Sequence, residues 1–81
     1  MKLYNIPNAR HFFERVLTCN GTVYVTASGG KTQNLKNIAQ YMINSGIVNT
    51  LNGIREINVT AEMPSDGTKL LGYAASMNMT A

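Results

Sequence analysis

The 81-residue chain is poor in the residues that build disulfides and metal sites: it contains one cysteine, one histidine and no tryptophan. A single cysteine, Cys19, cannot close an internal disulfide, which favours a reducing compartment. A cluster of cysteine and histidine ligands around a metal ion is excluded for the same reason. The composition therefore points away from disulfide-bonded and zinc-binding small proteins.

Charge is also scarce, because only 14% of the residues are charged, whereas about 25% is typical of a globular domain. The net charge is +3, but the basic residues are scattered and no two are adjacent. A nucleic-acid-binding surface usually needs a clustered basic face, so we expect nucleic acid to be an unlikely partner. The four acidic residues show no paired spacing typical of acid–base catalysis. We therefore expect neither enzyme activity nor a cofactor.

Long apolar runs are missing as well. No stretch approaches the roughly 18 apolar residues of a membrane-spanning helix. Asn5, Pro7, Asn8 and Arg10 interrupt the N-terminal region before the apolar core of a signal peptide could form. With 44% apolar residues overall, the composition is that of one globular domain, residues 1–81, and we expect it in the cytoplasm without contact with a membrane.

The clearest local pattern is a β-hairpin that leads into a helix, residues 21–43. Val23, Val25 and Ala27 alternate with polar or aromatic residues, and Ser28-Gly29-Gly30-Lys31 is typical of a hairpin turn. After Asn34 the apolar residues follow a helical period. Those residues are Leu35, Ile38, Ala39, Met42 and Ile43. Ser45-Gly46 is expected to end this helix, and residues 47–53 carry no assignable pattern.

Two further helices and one strand are predicted around this unit. The first helix follows a short edge strand at residues 1–4, with Asn5 and Asn8 as candidate N-caps, and it ends near Cys19. A strand is predicted at residues 56–61. Pro64 and Ser65 open a last helix, with Ser65 as the candidate N-cap. Its predicted buried stripe is Leu70, Leu71, Ala74 and Met77.

The resulting order is (β)-α-β-β-α-β-α. Helices bury one stripe and an antiparallel sheet buries one face. The economical arrangement is an α+β open-faced sandwich. A small antiparallel sheet, with three strands plus a short or missing first strand, is covered on one face by three helices.

This order and length are similar to those of HPr, the histidine-containing phosphocarrier protein of the bacterial phosphotransferase system. Residues 31–38, KTQNLKNI, resemble the end of the HPr hairpin and the start of its second helix, commonly written NLKSIMG. Residues 57–62 and the helix with Leu70 and Leu71 resemble its last strand and helix. The resemblance covers most of the chain and implies the HPr-like fold.

The resemblance also shows what this chain lacks. HPr is phosphorylated on a histidine at the N-terminus of its first helix, where backbone N–H groups favour the phosphate. A literal match places Asn8 at that histidine and Arg10 at the phosphate-contacting arginine, whereas a match of the apolar residues places Asn5 there. The regulatory serine of many HPr proteins corresponds to Asn37. An asparagine amide can cap a helix but cannot accept a phosphoryl group.

The sequence leaves three functions open. The first is a non-phosphorylatable HPr-like binding or regulatory protein related to the sugar phosphotransferase system. The second is a phosphocarrier that uses His11, although a residue one turn into a helix has no free N–H groups directed at it. The third is a small nucleic-acid-binding domain that uses Arg15, Lys31 and Lys36.

By resemblance, the partner-binding face combines the start of the first helix with the second helix and the loop that follows. The candidate binding residues are Arg10, His11, Tyr41, Ile47, Val48 and Leu51. The alternative is that Ile47, Val48 and Leu51 pack back onto the core. A short first strand would also leave a sheet edge open, where two copies of the chain could pair.

Overall fold

The computed structural model describes residues 1–27 and 29–78 and confirms the α+β class. The elements in chain order are β1 (Lys2–Ile6), α1 (Ala9–Leu17), β2 (Val23–Thr26), β3 (Thr32–Asn34), α2 (Leu35–Ser45), a 3-10 helix (Ile47–Thr50), β4 (Ile54–Ala61) and α3 (Pro64–Asn78). The 3-10 helix lies within residues 47–53, where no pattern could be assigned from the sequence alone.

The four strands form one antiparallel sheet in the order β1-β4-β2-β3. The first part of β4 pairs with β1, as in Leu3↔Ile57, and its second part pairs with β2, as in Val25↔Val59. Residues that pair across strands point to the same face, so these four side chains face the helices. The three helices lie on that face, which is the predicted HPr-like open-faced sandwich.

The first strand is present with five residues, so the alternative of a missing strand is excluded. β1 and β3 are the edge strands of the sheet. Pairing of two copies along β1 stays a prediction. β4 begins at Ile54, two residues before the predicted start, because Ile54 pairs with Ile6.

One hydrophobic core lies between the sheet and the helices. The largest fully buried apolar side chains come from every layer: Ile6, Phe12, Val16, Val23, Leu35, Val48, Val59 and Leu70. The ring centroids of Phe12 and Tyr73 are 6.2 Å apart, which joins α1 to α3. Ile38, Met42 and Ile43 on α2 are half-buried against the same core.

Asparagines cap α1 and α2, and of these two caps only Asn8 was predicted from the sequence. The Asn34 side chain accepts hydrogen bonds from the N–H groups of Lys36 and Asn37, at 3.0 and 3.2 Å, and caps α2. Of the two candidate caps for α1, Asn8 is the one that caps it, and Asn5 lies in β1 with a positive φ of 54°. The hairpin turn closes through the Ala27 N–H, which donates to the Lys31 carbonyl at 2.8 Å. Ser28 in that turn lies outside the described residues.

Two predictions for α3 are wrong. Ser65 is not the N-cap, because the helix already begins at Pro64, a position that suits proline. Leu71 is not in the buried stripe but is 55% exposed, while Leu70 is fully buried. The stripe runs through Asp66, Leu70, Tyr73 and Ala74, a spacing of four, three and one residues typical of one helix face. The side chain of Met77 lies outside the described part of the chain.

Candidate functional site

A surface groove of about 360 Å³ lies where the start of α1 meets the 3-10 helix and the segment after it. We call it the α1 groove. Its walls are Pro7, Asn8 and Arg10 on one side and residues 48, 49, 51 and 52 on the other. Three of these residues are asparagines, so the groove presents amide groups, one guanidinium and some apolar surface. Two of the predicted matches to the family's phosphorylation motif, Asn8 and Arg10, therefore line one groove.

The Asn8 side chain closes the N-terminus of α1. Its Oδ1 atom accepts a hydrogen bond from the His11 N–H at 3.0 Å, and the backbone carbonyl of Asn8 accepts one from the Phe12 N–H at 3.1 Å. Such a cap satisfies one of the N–H groups that the first helical turn leaves without an intrahelical partner. The helix therefore has its own acceptor at Asn8, the position that the literal match to HPr assigns to the phosphorylated histidine.

Arg10 joins α1 to the 3-10 helix. Its Nε donates to Glu14 Oε2 at 3.3 Å, and its Nη1 donates to Asn49 Oδ1 at 3.2 Å. The Arg10 side chain stays 47% exposed, so these contacts orient the guanidinium without removing it from solvent. Exposed pairs of this kind contribute little to stability, and the groove keeps one accessible positive charge.

The far wall of the groove is fixed by a close backbone approach at Gly53. A Cβ atom at this position would lie 2.7 Å from the Ile6 carbonyl oxygen and 3.2 Å from that of Pro7. Gly53 also has a φ of +153°, which side-chain-bearing residues rarely adopt. Only glycine therefore lets residues 51–53 pack directly against the β1–α1 connection.

The candidate apolar residues separate into two groups. Val48 is 2% exposed and belongs to the core. The alternative prediction, that this residue packs onto the core, is therefore confirmed for Val48, which also lines the groove. Ile47 and Leu51 are each 39% exposed, and Tyr41 on α2 is 63% exposed. Of these three, Leu51 lines the α1 groove.

His11 lies away from the α1 groove. It is exposed on α1 and borders a shallow depression of about 220 Å³ with Glu14, Arg15 and Thr18. Its backbone N–H is already used by the Asn8 cap. Asn37, the match to the regulatory serine, is exposed in the first turn of α2, and its N–H is capped by Asn34.

Sequence reasoning missed the residues that hold the α1–β2 loop, residues 18–22. The Asp66 carboxylate at the start of α3 is 1% exposed. It accepts hydrogen bonds from the Gly21 N–H at 2.7 Å and the Asn20 N–H at 3.0 Å. The only sequence signal was that Asp66 lies four residues before Leu70, on the buried stripe.

Two lysines hold the same loop by donating hydrogen bonds to its backbone carbonyl groups. Lys36 Nζ donates to the Cys19 carbonyl at 2.8 Å and to the Gly21 carbonyl at 3.4 Å. Lys69 Nζ donates to the Thr18 carbonyl at 3.2 Å. We call Lys36, Asp66 and Lys69 together the loop clamp. It supplies hydrogen-bond partners to backbone N–H and carbonyl groups of a loop that lies outside the helices and strands.

The clamp predicts a specific acid sensitivity. Hydrogen bonds from the Gly21 and Asn20 N–H groups lower the pKa of Asp66, and the charges of Lys69 and Lys36 lower it further, against the opposing effect of burial. A lowered pKa stabilises the fold above the unfolded Asp value of about 3.9. That contribution is lost as the pH falls through the lower folded pKa.

We therefore expect Asp66→Asn to lower the free energy of unfolding at pH 7, because an amide can accept only one of the two N–H groups. We also expect the variant to lose less stability than wild type between pH 5 and pH 2. Urea unfolding at several pH values measures both effects. Glu62→Gln, at an exposed carboxylate, is the matched control. An equal pH dependence in Asp66→Asn and wild type would contradict the role given to this carboxylate.

Among the described residues, no three histidine, cysteine, aspartate or glutamate side chains come together as a metal site. In the part of the chain that the structure describes, no helix has the length and apolar character needed to cross a membrane. No protein-family model, curated protein or solved structure matches the chain. The likeness to HPr therefore rests on the residues and the fold described above.

Proposed function

We propose that this chain is a non-phosphorylatable HPr-like binding or regulatory protein related to the sugar phosphotransferase system, and that it docks on a protein partner through the α1 groove. The observation that carries the proposal is the Asn8 cap. At the N-terminus of α1 a carboxamide accepts the His11 N–H, beside an accessible arginine and a groove. The docking surface is retained while the group that would carry phosphate is replaced.

The charged contacts favour this proposal over the alternatives. Lys36 is engaged with two loop carbonyls, and the Arg15 guanidinium lies 5.7 Å from the centre of the Tyr73 ring. Two of the three side chains suggested for nucleic-acid binding are therefore committed within the fold. A filter-binding assay with salt-dependent affinity would support the nucleic-acid alternative instead.

The first experiment tests phosphorylation. Incubation with the upstream phosphotransfer enzyme and phosphoenolpyruvate is expected to leave the wild-type chain unlabelled, because neither Asn8 nor Asn5, the two residues matched to the phosphorylated histidine, can accept a phosphoryl group. A functional HPr in the same reaction is the positive control. Acid-labile label on this chain that disappears in His11→Ala would replace the proposal by the phosphocarrier alternative.

The second experiment tests docking by competition. Excess chain is expected to slow the labelling of a functional HPr by the same enzyme. Leu51→Ala, in the α1 groove, should weaken this inhibition about fivefold, the effect of losing about 1 kcal/mol at an interface. Leu71→Ala removes an equally apolar side chain from α3 (55% exposed) outside the groove and should leave inhibition unchanged. Equal effects of the two variants, or no inhibition by wild type, would contradict docking through this groove.

A further inference from the structure

The chain contains two asparagine–glycine pairs, Asn20-Gly21 and Asn52-Gly53. In such a pair the glycine backbone nitrogen can lose its proton and attack the asparagine side-chain carbonyl carbon. A succinimide ring forms and ammonia leaves, and water then opens the ring to aspartate or isoaspartate. Glycine favours the reaction because no side chain shields its nitrogen. The structure places the two pairs in very different surroundings.

Asn20-Gly21 is held in the loop clamp. The Gly21 N–H donates to Asp66 Oδ2 at 2.7 Å, and the Asn20 N–H donates to Asp66 Oδ1 at 3.0 Å. Loss of the Gly21 proton would create a second negative charge next to this carboxylate. Since Asp66 is 1% exposed, solvent screens that repulsion less than it would at the surface. The clamp therefore opposes both the deprotonation and the movement that the attack requires.

Asn52-Gly53 lacks a hydrogen-bonded restraint of this kind, although Gly53 packs against the Ile6 and Pro7 carbonyl groups. Asn52 is exposed in the connection between the 3-10 helix and β4. Within residues 1–27 and 29–78, the Gly53 N–H donates to no side chain and to no backbone carbonyl. Asn52 also lines the α1 groove, which Arg10 borders from the other side.

We propose that Asn52 is a deamidation site, and that its product places a new carboxylate in the α1 groove. The modification lowers the net charge by one and replaces a neutral amide by an anion on the wall opposite Arg10. Its effect on partner docking rests on the function proposed above. The chemistry itself depends only on the folded chain and water.

The test is incubation of the full-length folded chain at mildly alkaline pH, followed by ion-exchange separation and peptide mapping by mass spectrometry. Deamidation at Asn52 should be at least about tenfold faster than at Asn20, a barrier difference of about 1.4 kcal/mol. In denaturant the two sites should react at similar rates, because the clamp is lost. Equal rates in the folded chain, or protection of Asn52 relative to the denatured chain, would overturn the proposal.

Two variants assign the difference to its cause. Asn52→Gln should abolish the acidic product, because the longer side chain closes the ring poorly. Asp66→Ala, which creates no new asparagine–glycine pair before Gly67, should expose Asn20 to deamidation, and if this variant fails to fold, the comparison of both sites in the wild-type chain still decides. The mapping uses no partner, so its outcome is separate from that of the competition assay. In the competition assay, Asn52→Asp should change how strongly the chain inhibits labelling of HPr, while Asn52→Gln should inhibit about as strongly as the wild-type chain.

Discussion

Replacing Leu70 with alanine is expected to lower the free energy of unfolding by about 2–5 kcal/mol, whereas the same change at Leu71 should alter it by less than about 0.5 kcal/mol. Leu70 is fully buried in the core and Leu71 is 55% exposed. The two changes remove the same atoms from adjacent positions of one helix, so helix propensity is matched. The difference isolates the cost of leaving a cavity in the core.

The loss of stability expected for Leu70→Ala is a large fraction of the total free energy of unfolding. At about 0.05–0.15 kcal/mol per residue, a chain of this length has a stability of only about 4–12 kcal/mol. Leu70→Ala is therefore expected to remove a large fraction of that stability. Urea unfolding followed by circular dichroism measures both variants. Similar losses at the two positions would mean that α3 packs with a different face toward the sheet.

The second large effect is expected at Gly53. Gly53→Ala should destabilise the protein by about 3 kcal/mol or more, because a backbone with φ of +153° costs about 1–3 kcal/mol in other residues and the new Cβ meets the Ile6 carbonyl at 2.7 Å. That carbonyl cannot move freely, since Ile6 pairs with Ile54 in the sheet.

Gly46→Ala is the matched control for this strain. Gly46 ends α2 with a φ of +80°, and a Cβ there would have open space around it. The expected cost is therefore only that of a left-handed residue, about 1–2 kcal/mol. Both variants are compared by urea unfolding at one pH. Equal costs would show that the close approach of residues 51–53 to the β1–α1 connection does not constrain the fold.

The sequence predicted the elements well where a periodic pattern was long enough to read. The alternation around Val23 and Val25 and the helical spacing from Leu35 to Ile43 depend on local geometry, which the chain carries in its own residues. The face of α3 was predicted less well. Leu70 and Leu71 are chemically identical, and the burial of Asp66 that helps to set the helix phase arises from its tertiary contact with Asn20 and Gly21.

The candidate site was predicted in part, since Val48 and Leu51 on its far wall were among the candidate binding residues but the polar residues of that wall were not. Asn8 and Arg10 follow from helix capping and from the resemblance to HPr. Asn49, Asn52 and Gly53 on the opposite wall were not found, because a four-residue 3-10 helix and a short connection have no periodic signal. The loop clamp was missed for a related reason: a lysine that donates to a distant carbonyl looks like any surface lysine in the sequence.

The loop clamp also bears on the order in which the chain folds. Asp66 and Lys69 reach the α1–β2 loop across 45 to 51 residues of sequence. Bringing together residues so far apart in the sequence costs conformational entropy. We therefore expect the hydrogen bonds of the loop clamp to form after the transition state for folding. Contacts of that kind mainly slow unfolding. The loop clamp is then expected to lower the unfolding rate while leaving the folding rate nearly unchanged.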